Sequence, residues 1–205
     1  MIYEILRNSF KIIFRILFRV ELHGRENIPD HGGFLVISNH ASFLDPPLVG
    51  SFIKRQINYL AKKDLFKIPL FGWLIREVRA IPIERERPDR STIKLCRKKL
   101  KEGEGLLVFT EDTRTENGEL RDFKPGSVMF LSGLQDIPVL PVYVEGSFRA
   151  LPKGKILPRP VKIRIHYGKP FNLPQKGVEI SKRDYYKTVS DLFYKKVNSL
   201  KIKKT

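Results

Sequence analysis

Gly32-Gly33-Phe34-Leu35-Val36-Ile37-Ser38-Asn39-His40-Ala41-Ser42-Phe43-Leu44-Asp45-Pro46 joins an unbroken apolar run to a polar segment that holds a histidine and a carboxylate. A short run of branched and aromatic residues after two glycines predicts a buried strand. His40 then stands at the strand's carboxyl end, where ligands bind in open α/β sheets. Asp45, five residues on, is a candidate partner for acid/base work. On a regular helix five residues turn through about 500°, which puts the two side chains on different faces. Contact between them therefore requires a non-helical turn or a loose helix start, and Pro46-Pro47 suits either.

The same pattern recurs downstream. Leu106-Leu107-Val108-Phe109 is a second buried-strand run, and it delivers Thr110-Glu111-Asp112-Thr113-Arg114-Thr115 to the same kind of exit as His40. Further strands are predicted at 20–22, 57–61, 79–85, 137–144 and 161–167. Helices are predicted at 46–54, 68–78, from a cap at Asp89 or Ser91 to 102, at 125–134 and from a Ser181 cap to 200. Lys62 and Lys63 fall at a strand exit, and Pro82 marks an edge strand or a bulge. This alternation predicts one α/β domain over residues 21–205, a mixed β-sheet flanked by helices, preceded by an amphipathic N-terminal helix.

That helix, residues 1–20, carries Arg7, Lys11, Arg15 and Arg19 at intervals of four among Ile, Leu and Phe. At 100° per residue these bases, Glu4 and Asn8 fill an arc of roughly 120°, with Phe18 intruding. Ile2, Ile5, Leu6, Phe10, Ile12, Ile13, Ile16, Leu17 and Val20 fill the opposite side. Such a helix can lie in a membrane interface, or pack on the core as an ordinary amphipathic helix.

Composition narrows the partners. With 39 basic and 22 acidic residues the 205-residue chain carries +17, which favours anionic partners: nucleic acid, anionic lipid, phosphorylated substrates or an acidic carrier protein. No glycine-aromatic RNA motif, zinc pattern or basic heptad region is present, which argues against nucleic acid. The single Cys96 excludes an intrachain disulfide and is expected to be a core thiol, and no metal-ligand spacing occurs. The longest stretch without Asp, Glu, Lys or Arg, residues 31–44, is shorter than the ~18 apolar residues of a spanning helix. A cleavable signal peptide is not expected either. His23 and His31 fall in loop-like sequence, and His166 falls on the polar side of an alternating strand, where a solvated ring is expected.

Asn39-His40-X4-Asp45 resembles the first motif of the glycerophospholipid acyltransferases, especially the 1-acylglycerol-3-phosphate acyltransferases. Residues 79–85 resemble the second motif and end in Arg85, although Glu84-Arg85-Glu86-Arg87 also reads as a solvated charged patch. Residues 109–115 resemble the third motif, usually Phe-Pro-Glu-Gly-Thr-Arg-Ser, with Thr110 replacing the proline and Asp112 the glycine. Phe123-Lys124-Pro125-Gly126 and the proline-containing strand at 137–144 resemble two further family features.

The resemblance implies an acyl transfer in phospholipid synthesis in which His40 is the general base and Asp45 orients it. It implies Arg85, Arg114 and Lys62 at the acceptor phosphate, with Glu111 positioning these bases or the glycerol. It implies no metal and no cofactor beyond acyl-CoA or acyl-carrier protein as co-substrate. The expected partners are anionic membrane lipids and a lysophospholipid acceptor. The expected location is the cytoplasmic face of the inner (plasma) membrane, peripheral or monotopic. A catalytically weak phospholipid-binding protein, or an acyltransferase for another lysolipid, is the alternative that the altered third motif keeps open.

Overall fold

The computed structural model describes residues 2–84, 89–111, 113–125, 128, 134–175, 177 and 180–201. Seven strands form one sheet: β1 (Glu21–His23), β2 (Phe34–Ser38), β3 (Ile57–Lys62), β4 (Ala80–Ile83), β5 (Gly105–Phe109), β6 (Val139–Glu145) and β7 (Arg164–Tyr167). They lie in the order β1-β7-β6-β2-β5-β3-β4, and every pair is parallel except β6 with β7. The expected mixed α/β sheet is thus present. β4, which carries Pro82, is an edge strand, where a missing N–H costs no ladder bond.

β2 is the central strand, buried at all five positions. Its side chains alternate between two cores, as the period of a strand requires. Leu35 and Ile37 enter the core under α4 (Arg90–Lys101) and α6 (Lys182–Asn198). Phe34 and Val36 enter the core under α1 (Ile2–Phe18) and α2 (Asp45–Phe52). Gly33, just before β2, passes so close to the end of α4 that a Cβ there would lie 1.8 Å from the Leu100 carbonyl oxygen. Asp89 caps α4 by accepting the Thr92 N–H at 2.7 Å, and Ser181 caps α6 by accepting that of Asp184 at 3.1 Å. Cys96 is buried in α4, and burial pushes its thiol up to about 12.

Three expectations change. The helix predicted over 68–78 is present but starts later, as α3 (Phe71–Glu77), because Leu70 takes φ 59° and breaks the helical path, and a 3-10 turn at Lys63–Lys67 precedes it. His166 is not solvated: it is 8% exposed and its ring stacks on that of His23 at 4.8 Å, since β1 pairs with β7 and covers it. The helix predicted over 125–134 falls largely outside the described residues.

The third change concerns α1. The seam that packs on the domain is Tyr3, Phe14 and Phe18, with Phe10 half-buried, and each fully buried aromatic is worth about 1.5–3 kcal/mol. Arg7 lies on this seam, donates to the Lys54 carbonyl at 2.6 Å and pairs with Glu4. Ile2, Ile5, Ile12, Ile13, Ile16 and Leu17 are exposed, Ile16 at 78%. The helix therefore docks along its aromatic seam, with Arg7 included, and leaves Arg15, Arg19 and its aliphatic arc uncovered. Among the described residues no helix is long and apolar enough to cross a membrane.

Candidate active site

The carboxyl ends of β2 and β5 lie side by side, with Ser38 opposite Phe109, so the segments that follow them meet. Asn39 is the first residue past β2. Its side-chain amide donates to the Val144 carbonyl at 3.0 Å and its oxygen accepts the Val144 N–H at 2.7 Å, which ties the strand exit to β6.

Residues 40–44 then form the non-helical turn that contact between His40 and Asp45 requires. Asp45 opens α2, and its Oδ2 accepts the N–H groups of Ala41 and Ser42, each at 2.6 Å. The same oxygen lies 3.2 Å from His40 Nδ1. Nδ1 is thus engaged, and Nε2 is the ring nitrogen left for a substrate. Phe109 stacks on the imidazole at 4.2 Å, a face that favours a cation when the ring takes a proton.

Glu111 lies behind this turn. One carboxylate oxygen accepts the His40 N–H at 2.6 Å, the other the Arg121 N–H at 3.0 Å. The His40 carbonyl accepts the Thr115 N–H at 3.0 Å, so both backbone polar groups of His40 are held by the segment after β5. Burial pushes the Glu111 carboxyl up to about 7; the two N–H donors pull it down and the charge of Asp45 adds to the rise.

In front of the turn opens a cavity of about 480 Å³, within the range of small-molecule sites. Tyr3 and Phe10 of α1, Tyr59 and Leu60 of β3, and Leu74 and Ile75 of α3 give it apolar walls. His40, Lys62, Thr113 and Arg114, all from the carboxyl edge of the sheet, supply polar groups, and Arg7 adds a further cation from α1. The Arg114 guanidinium lies over the Phe43 ring at 3.4 Å from its centroid. Lys62 pairs with Asp64 at 2.8 Å on an exposed rim. An apolar cavity with a basic edge that carries a histidine suits an amphiphile with an anionic head. Among the described residues no three His, Cys, Asp or Glu side chains are arranged to hold a metal.

A sequence model of the acyltransferase family matches residues 19–145. The chain belongs to the acyltransferase family.

This acyltransferase is 31% identical over 171 residues to the 1-acyl-sn-glycerol-3-phosphate acyltransferase of Bacillus subtilis, covering 83% of the chain and 82% of that relative. It is 29% identical over 140 residues to a chloroplastic 1-acyl-sn-glycerol-3-phosphate acyltransferase of Brassica napus, where the match covers 67% of the chain but only 40% of the plant protein. Among solved structures it resembles the 1-acyl-sn-glycerophosphate (LPA) acyltransferase PlsC from Thermotoga maritima. The TM-score is 0.77 at 29% identity, over 99% of the chain and 81% of that structure.

At the candidate site the fold brings His40, Asp45 and Glu111 together and sets Arg114 and Lys62 on the cavity. Arg85 and Asp112 lie outside the described residues. Glu111 touches backbone N–H groups and is 2% exposed. Residues not singled out from sequence include Phe109, Phe43, Tyr3 and Tyr59. For Phe109 a signal existed, because it ends the run that precedes Glu111.

Proposed function

We propose that the protein transfers a fatty acyl group from an acyl thioester, acyl-CoA or acyl-carrier protein, to the free hydroxyl of lysophosphatidic acid, giving phosphatidic acid. The observation that carries this is His40, paired with the buried Asp45, on the wall of a cavity with apolar sides that Arg114 also lines. The names of the relatives in Bacillus subtilis and Thermotoga maritima support the acceptor.

His40 Nε2 takes the proton of the acceptor hydroxyl as its oxygen attacks the thioester carbonyl carbon. Asp45 faces Nδ1 and stabilises the imidazolium. When the tetrahedral intermediate collapses, the C–S bond breaks and the imidazolium returns its proton to the departing thiolate. The products are an ester and a free thiol. Arg114 and Lys62, together with Arg85, hold the acceptor phosphate, since arginine's fork matches phosphate oxygens.

The enzyme works from a bilayer surface, at the cytoplasmic face of the inner (plasma) membrane. The exposed aliphatic arc of α1 enters the acyl chains while Arg15 and Arg19 stay at the headgroups. Purified protein, lysophosphatidic acid in vesicles and labelled acyl thioester test the activity directly. Phosphatidic acid should form with wild type and not with His40→Ala; equal turnover by the two would refute the role of His40.

A further inference from the structure

Residues 151–158 form a tight loop after α5 (Ser147–Ala150). Its base is closed by the Arg159 N–H on the Ala150 carbonyl at 2.7 Å, and within it the Lys155 N–H bonds the Pro152 carbonyl at 3.1 Å. Pro152, Pro158 and Pro160 further restrict the backbone. At the tip stand Ile156 and Leu157, 90% and 82% exposed. A single exposed aliphatic residue needs no explanation, but two adjacent ones on a braced loop differ in kind.

Charge and position agree on what covers them. Residues 149–162 hold five bases, Arg149, Lys153, Lys155, Arg159 and Lys162, and no acid occurs between Glu145 and Glu179. An apolar tip set among bases matches an anionic lipid surface, with apolar burial below and charge attraction above. The returning limb also reaches α1: Ile16, Leu17 and Arg19 line a cavity of about 310 Å³ with Pro160, Val161 and Lys162. Leu157 is three residues from Pro160, so it lies within about 10 Å of it.

We propose that the loop of residues 151–158 is a second docking point for an anionic phospholipid leaflet, with Ile156 and Leu157 among the acyl chains and the flanking bases at headgroup level. This rests on the membrane-bound reading of α1 and adds to it. A domain held at a surface through one helix alone can still roll about that helix's axis, and an insertion beside the helix end removes that freedom. The roll matters because Ser42 Oγ donates to the Leu151 carbonyl at 2.9 Å, joining the base of the loop to the turn that carries His40. Because the loop is already braced, docking orders few residues.

Trp73 is the sole tryptophan, which makes the test clean. In a Trp73→Phe chain, Leu157→Trp should show a blue-shifted emission with phosphatidylglycerol vesicles and quenching by lipids brominated on their chains. Lys98→Trp in the same background, on the helix of the opposite core, should show neither. Ile156→Ser with Leu157→Ser should lower vesicle partitioning by more than about tenfold with unchanged thermal unfolding. If the chain sediments with vesicles while the tryptophan at 157 keeps an aqueous spectrum, the loop proposal is overturned and the role of α1 stands. A double variant that partitions like wild type overturns it too. Failure of the wild-type chain to sediment with vesicles would overturn both.

Discussion

His40 Nδ1 lies 3.2 Å from Asp45 Oδ2, the same oxygen that accepts the N–H groups of Ala41 and Ser42. One atom therefore closes the turn and faces the ring. We predict that Asp45→Asn lowers kcat less than His40→Ala does, because an amide oxygen still closes the turn while the charge beside the imidazole is gone. His40→Ala should lose about 10² to 10⁴ fold in kcat. Asp45→Ala should also destabilise the fold, since two buried donors lose their acceptor at about 1–3 kcal/mol each. Steady-state kinetics with urea unfolding on all three variants checks this; a loss under about tenfold for His40→Ala would remove it as the base.

Arg114 is held over Phe43 on the cavity wall. We predict that Arg114→Ala raises the KM for lysophosphatidic acid by about tenfold to a hundredfold, the worth of a charge-assisted hydrogen bond, and changes the donor KM little. Arg114→Lys should recover part of the loss, having the charge without the fork. Equal shifts in both KM values would place Arg114 away from the acceptor.

Glu111 gives a prediction for stability against pH. Its carboxyl is raised from the usual 4.5 to about 7 in the fold, chiefly by burial. Between those values the folded chain holds a proton that the unfolded chain has released. Stability therefore falls as pH rises through this window and levels off above it. At 1.36 kcal/mol per unit the contribution is about 3 kcal/mol for so buried a group. Glu111→Gln carries no such proton, so its stability relative to wild type should improve by that order from pH 4.5 to 8. Urea unfolding at three pH values reads it, and parallel curves would contradict the raised carboxyl.

The two sides of α1 should fail in different ways. Phe14→Ala or Phe18→Ala opens a cavity in the core and should cost about 3–5 kcal/mol of stability. Replacing Ile12, Ile13 and Ile16 by Ser should leave stability within about 0.5 kcal/mol per site but release the protein from phosphatidylglycerol vesicles at every salt concentration. Replacing Arg15 and Arg19 by Gln should instead reduce the salt dependence of binding. Vesicle sedimentation with a thermal melt on each variant separates the cases, and serine variants that still sediment would return α1 to a purely packing role.

Much of the site was legible because two apolar runs, 34–37 and 106–109, each deliver a polar segment to a strand end. Parallel pairing of β2 with β5 then suffices to bring His40 and Glu111 together. What Glu111 does there was not legible, because its partners are main-chain N–H groups of His40 and Arg121, which leave no trace in residue identity. The burial of His166 depended on strand order, as β1 crosses the sequence to pair with β7. For α1 the helix was readable but the docking side was not: Arg7 sits on the packed seam because a carbonyl and Glu4 satisfy it, which a projection that sorts charged from apolar cannot register.

Tyr3 and Phe10 wall the cavity from the same helix whose other side presents bare isoleucines. On the membrane-bound reading proposed for α1, chamber and anchor are two sides of one rod, and that reading predicts that an amphiphile enters sideways, without being lifted into water. For an enzyme so built the governing variable is the mole fraction of acceptor in the surface. Inert lipid added at constant total acceptor should slow turnover by dilution in two dimensions, as if substrate had been withdrawn.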